Sequence, residues 1–177
     1  QAFGLNALYA NTTGGYNVAV GHAALTNQET ANYNTAVGTN AGTNLTTGQY
    51  NTLIGNSAMK NAAVTGDYNI AIGNQSAYSN TSGYNNAYVG RNCAYSASTG
   101  HHNTAMGGSA ALYYLTTGNY NSAFGTDAGQ NMTTGGNNTC LGVQAGFSIT
   151  TGGYNVCVGS QAGYGQVSTG SNELWIA

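Results

Sequence analysis

A single glycine returns every 17 or 18 residues along the whole chain, and that period restricts the fold more than any other feature. The anchors are Gly4, Gly21, Gly38, Gly55, Gly73, Gly90, Gly107, Gly125, Gly142 and Gly159. Their spacing is 17 residues, except for 18 from Gly55 to Gly73 and from Gly107 to Gly125. Ala177 stands where the next anchor would fall. Self-similarity at a fixed short period marks a repeat architecture, in which each unit buries its apolar side only against its neighbours. A 17-residue unit with two glycines is too short for a pair of helices, and segments such as Tyr33-Asn34-Thr35-Ala36-Val37 have strand propensity.

Aligned on the anchor, the units resolve into columns. The residue before the anchor is always apolar: Val20, Val37, Ile54, Ile72, Val89, Met106, Phe124, Leu141, Val158 and Ile176. It reads as an inward-facing core column. Two places earlier stands Val, Ile or Thr in most units, as in Val18, Thr35, Thr52, Ile70 and Val156, so the pattern alternates with the period of a short strand. The residue between is mostly small (Ala19, Ala36, Ala71, Ala105, Ala123), and a second small column follows the anchor by three (Ala7, Ala24, Ala41, Ala58). Such positions allow close approach of backbone, from the next coil or from a second chain. Asn recurs at Asn17, Asn34, Asn51, Asn69, Asn86, Asn103, Asn121, Asn138 and Asn155, a pattern suited to amide ladders between coils. A Thr or Ser column runs from Thr13 to Thr169, followed by Gly in every unit but the one with Ala31. Thr-Gly before a strand reads as a turn whose Gly supplies a positive φ.

These columns predict an all-β fold, a parallel β-solenoid (β-roll or β-helix) of ten coils of 17–18 residues. Ten coils at about 4.8 Å each make a rod of roughly 48 Å. The extra residue in each 18-residue unit is expected at a turn or bulge. Residues 1–170 form the repeat array, and residues 171–177 form a last strand and exit segment leading toward a further C-terminal region. In that segment Glu173 replaces the column Asn and Trp175 the small residue. A chain that starts at Gln1 and stops abruptly at Ala177 reads as a piece of a longer protein.

Composition narrows the function classes. Only 3% of the residues are charged, against about 25% in an average protein. Yet 14 Tyr and the absence of Pro argue against disorder. Apolar runs such as Val18-Ala19-Val20 are far short of the roughly 20 residues of a membrane helix. Lys60 and Arg91 are the only fixed side-chain cations, too few to grip nucleic acid. No signal peptide is visible, so no targeting segment sets the location.

The motif Asn-Thr-Ala-Val-Gly at Asn34 to Gly38, and Thr-Thr-Gly-x-Tyr-Asn at Thr46 to Asn51 and Thr116 to Asn121, resemble the shaft repeats of phage and phage-like tail fibres. They are also similar to the shorter head repeats of trimeric autotransporter adhesins, which build parallel β-rolls. The resemblance covers all ten units. It implies a structural shaft that spaces or presents a receptor-binding tip, on a virion surface or outside a cell. An extracellular bacterial or environmental filament or adhesin is the alternative, and an ice-binding solenoid a remote one.

Residues that carry chemistry are few. Asp67, Asp127, Glu29 and Glu173 lie in different units, so no carboxylate pair is expected at glycosidase spacing, and no catalytic residue is assigned. His22, His101 and His102 fall in two regions, and Cys93, Cys140 and Cys157 lack zinc spacing, so neither metal nor cofactor is expected. The cysteines replace Ala and read as small buried residues, although a Cys140–Cys157 disulfide is sterically conceivable. Tyr16, Tyr33, Tyr50, Tyr68, Tyr120 and Tyr154 share one column. They read as a packing ladder or, functionally, as a platform for sugar rings of a cell-surface glycan. Ice binding needs a regular Thr array, but Val18, Ile70, Ala87 and Val156 interrupt the strand Thr column. The thin core of one coil points to a homotrimer, with the small, Tyr and Asn columns packing between chains; end-to-end filament growth is the rival assembly.

Overall fold

In a computed structural model, which describes residues 1–61, 63–166 and 169–177, the chain winds into a β-solenoid of parallel strands. The strands are β1 (Ala2–Phe3), β2 (Val18–Val20), β3 (Thr35–Val37), β4 (Thr52–Ile54), β5 (Ile70–Ile72), β6 (Ala87–Arg91), β7 (Thr104–Ser109), β8 (Ser122–Phe124), β9 (Thr139–Leu141), β10 (Val156–Val158) and β11 (Leu174–Ile176). All eleven join one sheet in sequence order, each paired in parallel with the next. Register is set by the repeat: Ala19 faces Ala36, and Cys140 faces Cys157. Hydrogen bonds also link the coils away from the sheet, as in Leu25 N–H to Ala41 O (3.0 Å) and Thr12 N–H to Glu29 O (3.0 Å). The backbone is therefore paired from coil to coil on several sides.

The strand faces are the reverse of the sequence expectation. The small middle residue points inward: Ala19, Ala36, Leu53, Ala71, Tyr88 and Ala105 are all fully buried. The apolar residues on either side point out, with Val20 37% and Met106 50% exposed. Inverting the faces follows from the Asn column. Asn34 lies two residues before Ala36, so both share a face, and the Asn residues are buried. A buried amide is tolerated only when its hydrogen bonds are made, and here they are. The Asn51 amide Nδ2 donates to Asn34 Oδ1 (3.2 Å) and to Gly66 O (3.0 Å), while its Oδ1 accepts the Asn69 backbone N–H (2.9 Å). The pattern continues through Asn86, Asn103, Asn121 and Asn138, and it ends where Glu173 N–H donates to Asn155 Oδ1. The amide ladder is the inner wall of each coil, and it commits Val and Ile to the outside.

The two glycine columns have different causes. At the anchor, Gly38 has φ +134°, and a Cβ there would lie 2.6 Å from Gly55 O in the next coil. Both a backbone conformation closed to L-residues and a collision exclude other side chains. The Gly after Thr is another matter, and the expected positive φ is absent: Gly48 has an ordinary φ, but its Cβ would stand 2.5 Å from Gly66 O. Left-handed backbone falls instead on three columns, typified by Asn40, Leu25 and Tyr33 (φ 57°, 50° and 58°). Three such residues per coil turn the chain, and the ladders above and below hold them there.

Core volume is traded across the coil. Gly42 faces the side chains of Leu53 and Leu25, and Gly163 faces the Trp175 ring, so a large inward residue meets a missing one. One of the two extra residues makes a bulge where β6 and β7 shift register between Val89 and Arg91. The other 18-residue unit, from Gly55 to Gly73, contains residue 62, which lies outside the described residues.

Candidate functional site

The surface carries three organised features: the outward sheet face, the aromatic ladders and a histidine pair. The sheet face presents two columns. One runs through Val20, Val37, Ile54, Met106, Phe124 and Leu141, and the other through Val18, Thr35, Thr52, Ile70 and Val156. Neither column contains a charged residue from β2 to β11. In β7 and β8 a bulky residue shares the strand with a small one, Met106 with Thr104 and Phe124 with Ser122, whereas β5 carries Ile70 and Ile72 together. The first column is apolar throughout, whereas the second mixes apolar residues with Thr or Ser.

Tyr16, Tyr33, Tyr50 and Tyr68 form one stack, with ring centroids 4.8–4.9 Å apart and planes within 4° of parallel. This geometry bears on how the interior of the ladder meets solvent. Each inner ring turns both faces to other tyrosines, so solvent meets edges and hydroxyls rather than the faces a sugar would cover. The stack ends at Tyr68 because the next residue in the column is Asn85. Tyr120 stacks on His102 (5.0 Å), while Tyr154 lies between Asn137 and Asn172 in its column and makes no ring contact among the described residues. Open ring faces therefore remain at Tyr154 and at the ladder ends.

A second ladder was not read from the sequence. Tyr78, Tyr95 and Tyr113 stack at 4.9 and 5.1 Å, and Phe147 meets Tyr164 at 5.2 Å further on. The signal was present, since these residues recur with the repeat period. It was masked because Thr26, Thr43 and Lys60 occupy the same column in earlier coils.

The histidines at 101 and 102 are held between aromatic neighbours. His101 stacks on Tyr84 (4.8 Å) and His102 on Tyr120, and the two imidazoles meet edge to face. Their Nδ1 atoms are 3.0 Å apart, and His102 Nε2 lies 3.3 Å from Asn85 Nδ2. His22 is exposed in a different coil.

Cys93, Cys140 and Cys157 are buried free thiols. Hydrogen bonding with Cys157, with burial behind it, raises the Cys140 pKa well above the ordinary thiol value. Burial pushes Cys93 up to about 11. The carboxylates are dispersed and two serve locally. Asp67 Oδ1 accepts the Gln49 N–H (2.7 Å), as Asn32 and Asn119 do for Gly15 and His101, and Asp127 Oδ1 accepts from Gln130 Nε2 (3.3 Å). Among the described residues there is no pocket and no cluster of three or more metal-ligating side chains. No helix among them is long and apolar enough to cross a membrane.

The Asn and small columns do not pack between chains, as the trimer expectation had them; they are internal to one coil. No protein-family model, no curated protein and no solved structure matches this chain.

Proposed function

We propose that this chain is a structural rod: a shaft segment of a virion-surface or extracellular fibre, built from copies that pack through the apolar sheet face. The two exposed columns, uncharged from β2 to β11, carry the proposal. Left in water they would be a cost and an aggregation hazard, and packing against equal faces removes both. The partner is a second copy of this chain because the two columns have no charge to complement and their row spacing matches another stack of the same pitch.

We infer that three copies pack around one axis. In a parallel cyclic assembly each strand row meets its own equivalents, so a bulky row such as Ser122/Phe124 closes around an axis as one layer. The shaft role rests on topology. Strand order equals sequence order, so the chain enters at one end of the rod and leaves at the other. At about 4.8 Å per coil, that separates whatever joins its two ends by nearly 50 Å. A bacterial or environmental filament would use the same face without a virion.

The test is the solution mass of the 177-residue chain and of its Ile54→Lys variant. A trimer that falls to folded monomers on Ile54→Lys supports the proposal. A wild-type monomer overturns copy packing, a dimer overturns the threefold count, and an open-ended polymer favours the filament.

A further inference from the structure

Two imidazole nitrogens 3.0 Å apart are either a hydrogen bond or the two arms of a chelate. In the metal-free state the contacts fit one arrangement of protons, set by the Asn85 amide group that faces His102. The Asn85 amide donates to His102 Nε2, so His102 carries its proton on Nδ1 and donates it to His101 Nδ1. Both Nδ1 lone pairs thus point into the same gap once that one proton leaves it.

The gap has the dimensions of a metal chelate of a particular kind. Metal–imidazole bonds are about 2.0–2.1 Å. Two of them at right angles span about 3.0 Å, whereas a tetrahedral angle would need about 3.4 Å. The observed separation is that of neighbouring positions on a square-planar or octahedral ion, the preference of Cu(II) and Ni(II).

We propose that His101 and His102 form a two-imidazole site for Cu(II) or Ni(II), with Asn85 as its supporting residue. On binding, the His102 proton moves from Nδ1 to Nε2, and the Asn85 amide turns so that Oδ1 accepts it. The balance is closed, with no proton gained or lost by the protein and no change in oxidation state. A metal-bound imidazole that donates its other N–H to an amide or carboxylate oxygen has its orientation and basicity set by that bond. Rigidity comes from the stack, since Tyr84 backs one ring and Tyr120 the other. The Asn119 side chain further fixes the backbone by accepting the His101 N–H at 2.8 Å. Water completes the coordination, so affinity is moderate. This site is independent of the copy-packing face.

The test is calorimetric titration of the full chain with Ni(II) chloride, which spares the thiols from oxidation. One equivalent is expected to bind. His102→Asn is expected to weaken binding at least tenfold, Asn85→Ala to weaken it several-fold, and His22→Asn to leave it unchanged. His102→Asn keeps the fold, because Asn85, Asn137 and Asn172 already occupy that column. Absence of binding by the wild type, or binding that His102→Asn leaves intact, overturns the site.

Discussion

The coils around β2 to β5 and those around β6 and β7 share one sequence pattern and satisfy it to different degrees. In the first group every strand has three residues, the anchors are left-handed and four tyrosines stack without a break. In the second the strands lengthen to five and six residues, the register shifts, and Gly107 leaves the left-handed region. Tyr88 fills an inward position that holds Ala in most coils. The buried side-chain atoms without a partner among the described residues all flank this place: Asn80 Nδ2 and Oδ1, Tyr88 Oη and Asn92 Oδ1. The repeat therefore supplies stability where it is strict. Where a bulky residue enters the thin core, neighbouring polar groups lose their partners, and the histidine pair sits in this same irregular stretch.

Gly38→Ala against Gly108→Ala applies the largest force to that contrast. Gly38 combines φ +134° with a Cβ site on the Gly55 carbonyl, so the substitution should cost more than about 3 kcal/mol. Gly108 lies at the bulge with an ordinary φ, and its nearest neighbour would be Thr126 Oγ1 at 3.5 Å. Its substitution should move stability by less than about 1 kcal/mol. Urea midpoints compare the two. A mild effect at Gly38 would show that the strict coils are not held as closely as the stack implies.

Asn51→Leu and Asn80→Leu should have opposite signs. The first removes two donated bonds and orphans the Asn69 N–H, all in a buried ladder, at a cost of about 2–4 kcal/mol. The second removes an amide with no partner from a column that holds Leu45 and Leu115 elsewhere, and should be neutral or stabilising by about 1 kcal/mol. Thermal unfolding of both variants reads the difference. Equal losses would mean that Asn80 finds a partner in solution and that the two regions are alike.

Period and strand position were legible in the sequence because the anchor Gly can be nothing else, and the Asn ladder because identical amides at coil spacing have one obvious use. Which strand face turns inward was not. Hydropathy ranks Val20 above Ala19, and only the buried Asn17, two residues before Ala19, reveals the opposite parity. The amide ladder is what fixes the true core. The tyrosine column was found but its ring orientation was not, since stacking on neighbours and presentation to a ligand leave the same trace in sequence. The histidine pair gives too few ligands in sequence to announce a site, and its geometry depends on the left-handed backbone at His102 (φ 56°).

The smallest expected effect tests Tyr88 itself. Its ring is fully buried, and burial, opposed in part by the neighbouring Asn103 side chain, pushes the phenol pKa well above its ordinary value of about 10. In the unfolded chain the same phenol ionises near pH 10, so above that pH the unfolded state sheds a proton that the native state keeps. Stability is then undiminished below about pH 10 and falls as pH rises through that value, by up to about 1.4 kcal/mol per pH unit for this one group. Tyr88→Phe removes both the unpaired hydroxyl and the titration. At pH 7 the variant should be more stable by about 1 kcal/mol, because a buried donor without an acceptor is lost while the ring packing stays. Between pH 10 and 11 its advantage should widen, since the exposed tyrosines titrate alike in both proteins. Chemical unfolding at pH 7 and at pH 10.5 measures both quantities. A variant less stable at pH 7 would mean that the Tyr88 hydroxyl is hydrogen-bonded in solution, and the irregular coils would then be as well satisfied as the regular ones.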